Sequence, residues 1–326
     1  MSQPEVLLEI KDLCVEFQTA EGTVHAVNHL NYTLHKGEKL GIVGESGSGK
    51  SVSSLGMLQL IPNPPGRITK GEILYKGQDL VQASEKEMQK IRGNEISMIF
   101  QEPMTSLNPI IKCGKQIAES LTLHWGMKKK EAMEEAVHMM QAVGIADAEL
   151  RAHEYPHQMS GGMRQRVMIA MALACQPKIL IADEPTTALD VTIQAQILDL
   201  IRKMNEKMET SVIFITHDLG VVSELCDTVI VMYTGHIVEQ APAAELFAGP
   251  KHPYTQGLLN AIPRITKERN PLTTIEGMVP NPTEKIEGCS FWPRCPHAKE
   301  RCRKEAPPVK QISDTRQVRC WLYENA

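Results

Sequence analysis

The chain has 326 residues, 42% of them hydrophobic and 23% charged, with a formal net charge of −4. That length exceeds one ordinary hydrophobic core and predicts a large domain plus an accessory region of ~100 residues, while the acidic balance and the lack of a long basic block argue against nucleic acid as the main partner. Met1-Ser-Gln-Pro-Glu-Val-Leu7 has no cationic start followed by an apolar core, and the longest unbroken apolar run, residues 167–175, is far shorter than the ~20 residues of a spanning helix, so the expectation is a cytosolic chain whose membrane role is peripheral.

In chain order, residues 7–10, 24–27 and 40–43 read as short β runs, separated by turn signals at Glu21-Gly22 and Lys36-Gly37. This predicts an antiparallel element beside a nucleotide-binding core. Gly44-Glu45-Ser46-Gly47-Ser48-Gly49-Lys50-Ser51 follows and matches the Gly-x-x-x-x-Gly-Lys-Ser/Thr phosphate loop at every specified position, between a buried strand and a helix starting near Val52. Glycines let successive N–H groups turn toward anionic oxygens, and the helix dipole adds partial positive charge there. Lys50 is expected to reach the β/γ-phosphates and Ser51 to hold Mg²⁺. A nucleophile elbow is excluded, because Ser46 is followed two residues on by Ser48 where that motif needs Gly.

Residues 72–75 and 96–100 read as further strands, the second running into Gln101. From residue 110 to about 151 the pattern becomes amphipathic helix, with Ile117, Leu121, Ala132, Ala136, Met139, Met140 and Val143 at three- and four-residue spacing. Residues 179–183 and 211–216 are apolar runs of strand length with a helix between them, as a parallel sheet covered on both faces requires. Asp183 ends the first of these strands, at the carboxyl edge where open α/β sheets bind ligands, and suits a metal-holding acid; Glu184 suits a general base for an attacking water. Residues 229–238 read as a hairpin around Thr234-Gly235. Beyond Pro250 proline density rises and periodicity fades, which marks a linker and a loop-rich tail, with the main boundary near residue 250. The phosphate loop is not repeated, so one chain carries one nucleotide site.

Ser160-Gly161-Gly162-Met163-Arg164-Gln165-Arg166, just upstream of the Asp183-Glu184 strand, resembles the signature motif of ABC transporter ATPases, although Met159 and Met163 replace the outer residues of the common Leu-Ser-Gly-Gly-Gln form. The resemblance covers residues 6–250. It implies an α/β P-loop NTPase of the ABC ATPase type: a RecA-like parallel-sheet core, an antiparallel β element and a helical subdomain at about 102–165. It further implies ATP and Mg²⁺ as cofactors and a head-to-tail pair of ATPase subunits in which Ser160, Gly161 and Gly162 contact the γ-phosphate on the partner's phosphate loop. In the same family order, Gln101 resembles the glutamine that senses Mg²⁺ and the attacking water, and opens a turn-rich segment through Pro109 that faces the membrane subunits. Thr187-Ala188-Leu189-Asp190 resembles the loop across the dimer interface, His217 the switch histidine on the γ-phosphate, and Phe17 the aromatic stacked on adenine.

Of eight cysteines, Cys14, Cys113, Cys175 and Cys226 are scattered and read as small buried hydrophobes. Cys289, Cys295, Cys302 and Cys320 crowd the tail, where chemistry alone leaves an iron–sulfur cluster, zinc and no metal all open. The tail at 251–326, with His252-Pro253-Tyr254-Thr255 and the segment from Gly288 to Pro296, is similar to the C-terminal extension of oligopeptide and dipeptide importer ATPases. That resemblance implies a [4Fe–4S] cluster on the four cysteines, a related second ATPase subunit, two transmembrane permeases and an extracytoplasmic solute-binding protein, at the cytoplasmic face of the membrane. Importers of nickel and other small solutes share these features, and a soluble ABC-type ATPase acting on nucleic acid or ribosomes is the rival of another class.

Overall fold

A computed structural model describes residues 5–101, 106–186, 191–261, 275–284 and 286–324. The chain divides into two compact units, Met1–Gln82 with Ile215–Ala326, and Ala83–Phe214. The first unit opens on β1 (Val6–Thr19) and β2 (Gly22–His35), an antiparallel pair that sets Phe17 opposite Val24. The other edge of β1 pairs antiparallel with β4 (Gly66–Tyr75), which follows β3 (Lys39–Val43) in the chain, and the short β5 (Gln78–Asp79) completes a sheet of order β2-β1-β4-β5. Leu8, Ile10, Leu13 and Val15 of β1 are buried. β3 is buried nearly throughout and leads through the phosphate loop into the helix Lys50–Met57.

The second unit holds three neighbouring strands in the order β8-β7-β6: β6 (Ile96–Ile99) and β7 (Ile179–Asp183) are parallel, and β8 (Ser211–Ile215) follows on the other side of β7. All three are buried along their length, which is why they read as continuous apolar runs instead of alternating ones. The helical segment forms Cys113–Trp125 and Lys129–Ala142, burying Ile117, Leu121, Ala132, Ala136 and Met140, while Met139 stays half-buried. Arg166, on the helix Gly161–Leu173, donates to the carbonyls of Val143 and Gly144 at 2.8 and 2.6 Å and to Gln196 Oε1 at 3.2 Å, tying the insert to the signature helix.

Back in the first unit, β9 (Thr228–Tyr233) runs parallel to β3 and turns through Thr234-Gly235 into β10 (His236–Pro242). Thr234 and Gly235 have φ of 43° and 79°, the paired positive values of a tight type I′ hairpin. The tail is mostly irregular, yet it folds the helix Pro253–Asn260, with proline at a first-turn position that needs no N–H. Its hairpin β11 (Lys310–Ser313) and β12 (Arg316–Val318) extends the order to β11-β12-β10-β9-β3. Residues beyond 250 therefore belong to the same compact unit as the phosphate loop.

Candidate nucleotide site and cysteine cavity

The phosphate loop has the backbone its sequence demands. Gly49 caps the helix Lys50–Met57 with φ of 96°, and a Cβ there would overlap the carbonyl oxygen of Ala26; one on Gly44 would overlap that of Met232. No side chain caps the helix, so its first N–H groups face the loop, with the positive end of the dipole behind them. Lys50 is 7% exposed; its ammonium donates to the carbonyls of Gly44 and Glu45 at 2.8 and 2.9 Å and lies 3.4 Å from Ser48 Oγ. The loop thus holds a buried cation at its centre, with the half-buried Ser51 beside it. Ser46, Gly47 and Gly49 line a cleft of about 780 Å³, and Phe17 lines the same cleft. His217 is exposed between β8 and the helix Leu219–Leu225, whose N-cap Asp218 accepts from Gly220 and Val221 N–H.

Two contacts on the loop have no counterpart in any motif. The Glu45 carboxylate takes both arms of the Arg294 guanidinium, Nη1 to Oε2 at 2.7 Å and Nη2 to Oε1 at 3.1 Å, and the Glu45 N–H donates to the hydroxyl of Tyr254 at 2.8 Å. An acidic side chain in an anion-binding loop calls for a countercharge, and that was the available signal; the distance in sequence hid its source.

In the second unit, Asp183 is 4% exposed at the carboxyl end of β7. Glu184 follows with φ of 46°, and Gln101 Nε2 donates to its Oε2 at 2.9 Å, so two residues 83 positions apart that were singled out separately meet at one carboxylate. Ser160 caps the helix Gly161–Leu173, its hydroxyl accepting from Met163 N–H at 3.3 Å. Ser160 and Gly161 are exposed, and a Cβ on Gly161 would meet nothing within 4 Å, so the chain's own packing does not require that glycine. Met159, in contrast, is core: it is 4% exposed, and Cys113 Sγ lies 3.6 Å from its sulfur. Gln165, fully buried, donates to the carbonyl of Pro185, which links the signature helix to the turn after Glu184. Asp190, with Thr187, Ala188 and Leu189, lies outside the described residues, as do residues 102–105 after Gln101.

Cys289, Cys295, Cys302 and Cys320 all line one small cavity, with His252, Trp292 and Trp321 among its other walls. Burial pushes the Cys289 thiol up to about 11, and the other three thiols push the same way; burial also raises Cys295 and Cys320. Among the described residues, the four thiols form no group of three ligand atoms within 4.8 Å of one another.

A phosphate loop at the start of a helix, an acid-ended β7 and a Ser-Gly-Gly helix N-terminus are together the features of an ATP-binding cassette ATPase. Residues 27–187 match the ABC transporter family model, and residues 238–302 the model for the C-terminal region of oligopeptide/dipeptide transporters. The chain is 54% identical over 317 residues to the oligopeptide transport ATP-binding protein OppD of Bacillus subtilis, covering 97% of this chain and 88% of that one, and 51% identical over 319 residues to OppD of Escherichia coli, covering 98% and 94%. A dimeric ATP-binding cassette solved in a post-hydrolysis state with ADP and Pi superposes with a TM-score of 0.67 at 28% identity, over 73% of this chain and 99% of that one. The chain belongs to the ABC transporter ATPases, in the group of oligopeptide and dipeptide transport ATP-binding proteins.

Proposed function

We propose that this chain hydrolyses ATP to power the import of oligopeptides or dipeptides, as a peripheral subunit on the cytoplasmic face of two transmembrane permeases supplied by a solute-binding protein. It works with a second, related ATPase subunit. Among the described residues no helix is long and apolar enough to cross a membrane, which agrees with a subunit that depends on permeases.

In this reading Lys50 and the N–H groups of Gly47, Ser48, Gly49 and Ser51 hold the β- and γ-phosphates, and Phe17 stacks on adenine at the wall of the same cleft. Ser51, Gln101 and Asp183 serve Mg²⁺, which neutralises charge between the phosphates when bound. Glu184 takes the proton of the attacking water, Gln101 orients that water, and His217 holds the γ-phosphate. Ser160, Gly161 and Gly162 reach the nucleotide of the partner subunit, and Asp190 lies at the same interface. Exposure of Ser160 and Gly161 at a helix N-terminus leaves them accessible for that role. The observation that best supports hydrolysis over mere binding is the 2.9 Å hydrogen bond from Gln101 to Glu184, because it joins the residue read as orienting the water to the one read as taking its proton. Glu184→Gln in the assembled transporter is expected to keep ATP binding and to lose phosphate release by about 10²–10⁴-fold, the ordinary contribution of a general base. Undiminished release would overturn Glu184's role.

The four tail thiols fit a thiolate-bound group. They share one cavity, and crowding of half-buried thiols is relieved by a cation. Four thiols on one cavity can ligate either a zinc ion or an iron–sulfur cluster, and the likeness of the tail to the C-terminal region of oligopeptide/dipeptide transporters is what favours a [4Fe–4S] cluster in this reading. Bound there, the cluster would cross-link the loops that carry Cys289, Cys295 and Cys320 to the short helix Glu300–Lys304 that carries Cys302. Four iron and four acid-labile sulfide per chain in anaerobically purified protein is the expected analysis; one zinc per chain, or no metal, would contradict it.

A further inference from the structure

Glu45 poses a problem of charge. It lies inside a loop built to bind polyphosphate, where a free carboxylate opposes the ligand through a short and partly desolvated path. The structure resolves this with a residue from the far end of the chain. Arg294 reaches Glu45 with a two-pronged fork at 2.7 and 3.1 Å, the geometry that makes Arg–carboxylate pairs both strong and directional. Its side chain is only 5% exposed and that of Glu45 28%, so solvent screens the pair weakly. The guanidinium is itself fixed: Nε donates to the Glu276 carbonyl at 3.1 Å, Nη2 to the Ile275 carbonyl at 3.3 Å, and Nη1 lies 3.4 Å from the Tyr233 hydroxyl. Tyr254 adds the second hold, on the Glu45 N–H, from a buried aromatic group in which the Tyr233 and Tyr254 rings lie 4.6 Å apart and Phe291 packs edge-on against both. Tyr254, Phe291 and Arg294 all come from the tail, and Arg294 immediately precedes Cys295.

We propose that Arg294 is a positioning residue for the ATPase reaction that acts through charge: it neutralises Glu45 at the outer end of the phosphate loop, where Tyr254 holds the Glu45 N–H, so that the carboxylate does not oppose ATP and nucleotide affinity depends on the folded C-terminal extension. The phosphate loop is thereby clamped on both sides, by the Lys50 ammonium on its inner carbonyls and by the tail on its outer carboxylate and N–H. The inference rests on ATP occupying residues 44–51.

The test is equilibrium binding of ATP to the full-length chain at low ionic strength. Arg294→Ala is expected to weaken ATP about tenfold, because it frees a carboxylate within the loop. Removing that carboxylate as well, in the double variant Arg294→Ala with Glu45→Gln, is expected to restore affinity to within about twofold of the parent. A merely structural role for Arg294 predicts no rescue, since the gap left by its side chain persists in the double variant. Glu45→Gln alone keeps the large side chain and leaves the Arg294 cation without its carboxylate beside the phosphates; it is expected to bind ATP a few-fold more tightly than the parent, which keeps the proposal testable even where Arg294→Ala fails to fold. Unchanged affinity in Arg294→Ala, absence of rescue, or unchanged or weakened binding in Glu45→Gln would each overturn it. Lys50→Ala separates the two levels: if it too leaves affinity unchanged, the assignment of ATP to residues 44–51 fails, whereas its loss beside an unaffected Arg294→Ala sinks only the role of Arg294.

Discussion

Glu184 adopts a left-handed backbone, φ 46°, that a non-glycine residue takes only at a cost in free energy, and the hydrogen bond from Gln101 is part of what holds it. His252 is a second residue placed against its solution preference. It is 1% exposed, its Nδ1 accepts from the Tyr254 N–H at 3.0 Å to cap the helix Pro253–Asn260, and burial draws its pKa down from 6.5 to about 3. A base whose pKa is lower in the folded state contributes full stability above its unfolded value and loses it as pH falls, because the unfolded chain takes up a proton that the folded one refuses. Stability is therefore expected to decline from about pH 6.5 toward pH 3, with a slope of up to ~1.4 kcal/mol per pH unit from this group. His252→Asn, which keeps a cap acceptor without titrating, is expected to flatten that stretch of the melting-temperature profile; parallel profiles would show that His252 does not titrate on unfolding. Lys50, Asp183 and Glu184 could be singled out as candidates because each belongs to a short motif whose chemistry fixes the spacing. Arg294 and Gln165 were not, because their partners, Glu45 and the Pro185 carbonyl, lie beyond any local pattern.

Strands β3, β7, β8 and β9 could be read directly, since a buried parallel strand is an unbroken apolar run bounded by turns. The Thr234-Gly235 hairpin was legible for a local reason too, two apolar runs on either side of a Thr-Gly pair, and the structure gives both turn residues positive φ. β12 was not: three residues, Arg316-Gln317-Val318, carry no periodicity, and their place is set by a buried ion pair. Glu239 of β10 is fully buried and takes Arg316 Nη2 at 2.5 Å together with the N–H groups of Lys251, at 2.9 and 3.1 Å, and His252, at 2.8 Å. Arg316 also donates to the Gly249 carbonyl at 2.6 Å. One carboxylate thus joins β10, the start of the helix Pro253–Asn260 and β12, which is why Pro253, read as part of a linker in the sequence, opens a docked helix.

At the scale of the molecule, the cassette was legible from the order of its motifs, and the tail from its cysteines; the packing of the tail beside the phosphate loop was not, because the contacts join Glu45 to Arg294 across 249 residues and Glu239 to Arg316 across 77. Coupling of ATP hydrolysis by this chain to peptide import is measured by following a labelled oligopeptide into sealed vesicles that hold the complete transporter, with ATP on the side of the ATPase subunits and the solute-binding protein on the other. Accumulation that requires ATP and stops when Glu184→Gln replaces the parent chain is the predicted result. ATP turnover that proceeds with no movement of any peptide, or peptide entry that is indifferent to Glu184→Gln, would contradict it.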